Sequence, residues 1–196
     1  MIDTPEKVEN ITFAQASGAP CPPPKGIKPR PGQIVCGDID MRIAADGTWF
    51  YHGTPINRQK LVKLFSTVVR RDEDGDYWLI TPAEMARITV DDAPFLAVEM
   101  AETNDKGVRA LKFRTNVDNW FTADADHPIR VDTDPETGEP RPYIQIAGDG
   151  TEARINRAVF YELVENAVVA DTDGRDMLVV ESAGETFVLG PASEET

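Results

Sequence analysis

The chain has 196 residues and 21.6 kDa, room for one compact domain or two small ones, and its 41% hydrophobic content excludes disorder from end to end. Its 20 Lys and Arg stand against 34 Asp and Glu, a formal charge of -14 that disfavours bulk binding to phosphate backbones or anionic membranes. No apolar run approaches the roughly 20 residues of a membrane helix, and Met1 to Lys7 have neither the basic start nor the apolar stretch of a secretory signal, so the sequence reads as soluble and cytoplasmic.

Residues 1–36 read as a lead-in. Thr4 as N-cap, Pro5 at the first helical position, and Val8, Ile11 and Ala14 on one face predict a short helix. A proline-rich strap with interspersed basic residues follows from Pro20 to Pro31, extended and polyproline-like, able to wrap the domain or recruit a partner. Cys21 and Cys36, the only cysteines, read as free thiols of a reducing compartment.

An internal repeat organises the rest. Ile56-Asn57-Arg58 recurs as Ile155-Asn156-Arg157, and nine of the 25 positions from 56 to 80 are identical to those 99 residues later. Upstream, Ile43-Ala44-Ala45-Asp46-Gly47-Thr48 matches Ile146-Ala147-Gly148-Asp149-Gly150-Thr151 at an offset of 103, so the first copy carries four extra residues. In each copy an Asp-Gly pair predicts a hairpin with a type I′ turn. A helix capped by Asn57 or Asn156 comes next, with Leu61, Leu64, Phe65 and Val68 on one buried face and Phe160, Leu163, Val164 and Ala167 on the other copy's. Acidic turns, Asp72 to Gly75 and Asp171 to Gly174, then lead into strands from Tyr77 and Met177, each followed by a hairpin arm.

The repeat thus reads as ββαββ, and the fold class as α+β in two domains. The first spans 37–90. The second spans 91–190 and is larger, with strand segments at Phe95 to Glu102, Val108 to Thr115, Trp120-Phe121, Ile129 to Val131 and Tyr143 to Ile146, giving an antiparallel sheet followed by one helix. Residues 191–196 form a tail.

Few residues suggest chemistry. Gly148-Asp149-Gly150 with Ala153 matches a dinucleotide fingerprint, but a strand separates it from the helix that would receive a pyrophosphate. Asp72, Asp74 and Asp76 resemble the start of a calcium loop whose closing glutamate is missing, which leaves an acidic turn. His52 and His127 have no cysteines at ligand spacing, so no metal or cofactor is expected. The least ordinary feature is a cation at the positive end of two helix dipoles: Arg58 and Arg157 each follow the capping Asn. Either an internal carboxylate balances each one, or Arg58, Arg154 and Arg157 clamp a phosphate or carboxylate, with Trp49 as a stacking surface, His52 beside it, and Trp120 a further aromatic of such a pocket.

These blocks resemble a known family. Asp46-Gly47-Thr48-Trp49, Gly53-Thr54-Pro55-Ile56 with Arg58, Asp91-Asp92-Ala93-Pro94-Phe95, His127-Pro128, Glu152-Ala153-Arg154 with Arg157, and Tyr161-Glu162-Leu163 are similar to bacterial domain-of-unknown-function family 1285. The resemblance implies two domains with a duplicated motif, the second superficially like a pleckstrin-homology fold, and a ligand site between them for a nucleotide-like signalling molecule. Gly148 to Thr151 departs from the Arg-Gly-Leu-like segment usual there. The function expected is therefore a ligand-binding or signalling module for a small anionic, nucleotide-like molecule. The alternatives are a protein-interaction adaptor using the strap and sheet edges, and an enzyme with a carboxylate base near Asp91 and Asp92.

Overall fold

The structure, a computed structural model, describes residues 22–105 and 107–192, so the helix expected within residues 4–14, Cys21, and residues 193–196 lie outside the described residues. The chain divides into two compact units, Met1–Asp92 and Ala93–Thr196.

The first unit contains β1 (Ile34–Ile43), β2 (Trp49–Tyr51), β3 (Thr54–Pro55), α1 (Gln59–Ser66), β4 (Val69–Arg71), β5 (Tyr77–Ile80) and β6 (Glu84–Val90) in one six-stranded sheet, ordered β3-β2-β1-β6-β5-β4. Its sheet therefore starts at Ile34, within the stretch read as lead-in. All neighbours are antiparallel except the central pair, β1 with β6. Alternation along β1 turns Met41 and Ile43 inward and Asp38, Asp40 and Arg42 outward, the period of a sheet with one wet face. Helix α1 covers the apolar face, with Trp49 stacked on Phe65 at 6.2 Å between ring centroids. Its buried residues are Val62, Phe65 and Ser66, whereas Leu61 and Leu64 are only half-buried, because the helix is shorter than the expected stripe and ends before Val68.

The second unit runs β7 (Phe95–Asp105), β8 (Val108–Thr115), β9 (Trp120–Thr122), β10 (Ile129–Thr133), β11 (Pro140–Gln145), β12 (Glu152–Ile155), α2 (Arg157–Glu165), β13 (Val168–Thr172), β14 (Arg175–Ser182) and β15 (Glu185–Pro191). Its six-stranded sheet, β10-β11-β12-β7-β8-β9, is not wholly antiparallel as expected: β12 pairs with β7 in parallel. Pro140 and Pro142 of β11 face only β10, in a stretch that overhangs β12, where a missing N–H leaves no neighbour unpaired. Strands β13-β14-β15 form a separate three-stranded sheet. Helix α2 packs on β7 and β14 and buries Val159, Phe160 and Leu163.

Among the described residues both units are thus β-rich with one helix, as the repeat implies, but the repeated motif is ββαβββ. Strands β4 and β13 stand between each helix and its acidic turn, so these turns are hairpin turns rather than helix ends. The β-branched pairs Val68-Val69 and Val168-Val169 favour that early switch from helix to strand. The Asp46-Gly47 and Asp149-Gly150 turns are also not type I′, since only the glycines have positive φ, +80° in each case. Each aspartate instead accepts the N–H two residues on, Thr48 or Thr151, at 2.9 Å. Type I′ geometry belongs to His52-Gly53, Asp173-Gly174 and Ala183-Gly184, where both residues have positive φ. The His52-Gly53 turn and β3 account for the four extra residues of the first copy.

No helix among the described residues is long and apolar enough to cross a membrane. Ser182, 1% exposed, fastens the small sheet to the large one: its Oγ accepts from Leu111 N–H at 2.8 Å and donates to the Ala123 carbonyl at 2.6 Å. Ser182→Ala strands both buried backbone groups and should lower the unfolding free energy by about 1–3 kcal/mol, measured by urea denaturation.

Candidate functional site

The residues singled out for chemistry fall on both units. Trp49 opens β2 and is 1% exposed; its Nε1 is buried with no hydrogen-bond partner among the described residues. It belongs to the core under α1, which removes it as a stacking surface for a ligand. His52 is exposed in the β2–β3 turn at φ +48°, with Nδ1 3.2 Å from Asp40 Oδ2. A two-residue hairpin turn and a neighbouring carboxylate account for it.

Arg58 is exposed and is itself the N-cap of α1, with no side-chain capping bond, so neither Asn57 as cap nor Arg58 as first helical residue holds. Its carbonyl accepts from Leu61 and Val62, which starts the helix one residue later than in the second copy. There the expected arrangement is found: Asn156 caps α2 by accepting from Val159 N–H at 2.9 Å, and Arg157 is the first helical residue. Nε of Arg157 donates to the Tyr161 hydroxyl at 2.8 Å, and Glu139 lies 3.9 Å away. Together they hold the guanidinium more firmly charged than usual, Tyr161 first. Arg154, half-buried on β12, sits in register between Tyr143 and Leu96. Trp120 remains 45% exposed on edge strand β9, opposite Arg114. Arg58 therefore belongs to the first unit, Arg154 and Arg157 to the second.

Tyr161 was not among the residues picked from sequence, although its i,i+4 spacing from Arg157 was available there. Arg130, likewise missed, lies 4.3 Å from the Tyr143 ring centroid and forks onto Glu152. This contact between residues 22 positions apart, on two strands that flank β11, has no local sequence signal.

Arginines and carboxylates line the outer face of the first sheet. Arg87 forks onto Asp38 and reaches Asp76 at 2.9 Å, and Arg42 forks onto Asp91. Arg42 holds the Asp91 carboxyl below the usual carboxylate range. A general base needs the opposite, a carboxyl raised toward neutrality, so Asp91 is unsuited to the enzymatic reading. Asp72, at the head of the acidic turn, is 8% exposed and satisfied entirely by N–H donors: Asp74 and Asp76 to Oδ1 at 3.0 and 2.9 Å, and Trp78 Nε1 to Oδ2 at 2.9 Å. The calcium-like spacing serves this turn, and no group of three or more metal-ligating side chains occurs among the described residues.

Beside that turn lies a cavity of about 450 Å³ lined by Pro22 to Lys25 of the strap and by Asp72, Asp74, Asp76, Trp78 and Arg87. Cys36 is half-buried on β1, and burial pushes its thiol up.

Comparisons with known proteins agree on one group. Residues 29–93 match the family model "Domain of unknown function (DUF1285), N-terminal domain", and residues 94–189 match "Protein of unknown function (DUF1285), C-terminal domain". A DUF1285 family protein from Silicibacter pomeroyi DSS-3, known from its crystal structure, is 41% identical with a TM-score of 0.74, over 86% of this chain and 91% of that one. Another from Shewanella baltica OS155 is 25% identical with a TM-score of 0.49, over 65% and 91%. No curated protein matches.

Because Arg42 depresses the Asp91 carboxyl, the ion pair's contribution to stability is present above the ordinary pKa near 3.8 and is lost as pH falls through the lower folded value. In Arg42→Gln, carboxylate titration by NMR should show the Asp91 pKa rising toward 3.8, and acid unfolding should begin at higher pH than in wild type.

Proposed function

The chain belongs to the DUF1285 family, and from that premise we propose a cytoplasmic ligand-binding and signalling module that recognises a small anionic and nucleotide-like molecule. The observation that carries this reading is Arg157. Its side chain is 73% exposed at the first position of α2, and Tyr161 fixes Nε, which presets the direction of the remaining donors. The first turn of α2 has no acidic residue, so the positive end of the helix dipole adds to the guanidinium charge.

Arg154, three residues earlier on β12, is the second guanidinium of this reading. In the first unit, exposed Arg58 heads a helix that likewise lacks an acidic first turn. The second unit then serves as the recognition domain, in the superficial manner of a pleckstrin-homology fold. A planar fork suits phosphate or carboxylate oxygens better than a lysine would.

A second reading, a protein-interaction adaptor, is favoured by Val168 and Val169. These are 58% and 59% exposed on β13, an edge strand that a partner's strand can extend.

A thermal-shift panel of nucleotides, cyclic dinucleotides, coenzymes and phosphorylated metabolites tests the anion reading. A ligand at 100 times its Kd adds about 2.7 kcal/mol, several degrees in a chain of this size. The expected result is a shift for one compound class that is lost in Arg157→Ala and reduced in Tyr161→Phe. No shift across the panel, or a shift unchanged in Arg157→Ala, overturns the proposed site.

A further inference from the structure

We propose that the first unit carries a recognition groove for an extended, proline-rich segment with a basic residue, and that the chain's own strap occupies this groove as a displaceable internal ligand.

The groove lies on the sheet face opposite α1. Trp78 pairs in register with Arg87, and Arg87 with Asp38, so the indole belongs to the solvated face, yet it is 2% exposed. Arg87 lies 5.9 Å from its ring centroid, and the strap prolines border the same cavity. Three consecutive prolines, Pro22 to Pro24, favour an extended run without a β-ladder, the form in which proline-rich ligands meet aromatic grooves. The chain then turns at Lys25-Gly26, where Ile27 N–H donates to the Pro24 carbonyl at 3.3 Å. Pro24 is the buried anchor, and Lys25 Nζ reaches Asp74 at 2.7 Å while its carbonyl accepts from Glu73 N–H at 3.2 Å. Gly26, at φ +77°, allows the close approach: a Cβ there would lie 2.5 Å from Glu73 Oε1.

Charge selects the occupant. Asp72 is satisfied by N–H donors of the turn and by Trp78, and Asp76 is paired with Arg87, whereas Asp74 takes its cation from the strap. A segment that replaces the strap must therefore bring its own lysine or arginine. The internal ligand is also held shallowly. Lys25 and Asp74 are both more than half exposed, Pro22 and Pro23 are exposed, and all four border the cavity of about 450 Å³. A cis segment acts at an effective concentration of about millimolar order, so it blocks weak competitors and yields to a longer or better-fitting one.

The test uses a fluorescein-labelled peptide covering residues 22–31 and anisotropy titrations of the full chain. Wild type, in which the strap competes, should bind at least about tenfold more weakly than a variant carrying Pro24→Ser and Lys25→Ala. Adding Asp74→Asn to that variant, or Lys25→Ala to the peptide, should lower the affinity again, by about two- to fivefold. Equal affinity in wild type and strap variant, or no binding to the strap variant, overturns the proposal. Hydrogen exchange on wild type gives a check that does not depend on any variant folding: the Glu73 amide should exchange well before that of Leu79 in β5. Exchange of both only by global unfolding means that the strap is a fixed part of the core, and that also overturns it.

Discussion

A single parallel strand pair at the centre of each six-stranded sheet sets the architecture. Numbered within its own unit, each sheet has the order 3-2-1-6-5-4: two antiparallel meanders joined where the first strand lies beside the last. Parallel neighbours cannot be joined by a hairpin, so the chain must pass from one edge of the sheet to the other between meanders. In the first unit α1 lies in that crossover and brings Phe65 over Trp49. In the second the segment from Ala123 to Pro128 makes the crossing, and α2 comes only after the sheet is complete. The pair also fixes what the outer face of the first unit displays. Asp38 meets Arg87, and Arg42 meets Asp91, only in one register, and a slip of one residue would turn these charges into the core. Each exposed pair contributes little by itself, about 0.2–1 kcal/mol, but together they discriminate between registers.

Local features of this fold were legible in the sequence, and non-local ones were not. The Asp-Gly turns, the strand from Val108 to Thr115 and the second-copy cap Asn156 follow from residues within a few positions of each other. The parallel pairing of β12 with β7 depends on residues nearly 60 positions apart and leaves no periodic trace. Even strong local rules were modified by context. Asn57 and Asn156 occupy equivalent places in the repeat, yet only the second caps its helix, because the first copy passes through β3 and enters α1 one residue later. For the candidate site, the arginines were visible from sequence while their surroundings were not. Trp49 reads equally well as core or as a stacking platform until the helix above it is known.

In this acidic chain the arginines are mostly bound to something. Arg42, Arg87, Arg114 and Arg130 each hold at least two carboxylate contacts or a fork, and several also lie over an aromatic ring. Against that background Arg157 is distinguished by its partner rather than by isolation. A phenol hydroxyl orients the guanidinium at Nε, and its carboxylate contact, Glu139 at 3.9 Å, is longer than those of Arg42, Arg87, Arg114 and Arg130. The strap's Lys25 is the contrasting case, a cation committed to an acidic turn through an exposed contact.

The two copies of the repeat also separate inheritance from folding. Turn, helix and following hairpin were preserved together, down to the aspartate that accepts an N–H two residues on. The strands after the helix nevertheless rejoin the parent sheet in the first copy and build a sheet of their own in the second. Strand β12 of the second copy finds its parallel neighbour in β7, which lies outside the repeated segment. What was duplicated is therefore smaller than what folds: a segment able to form its turns and helix in either setting, whose sheet partners were supplied by whatever sequence lay beside it.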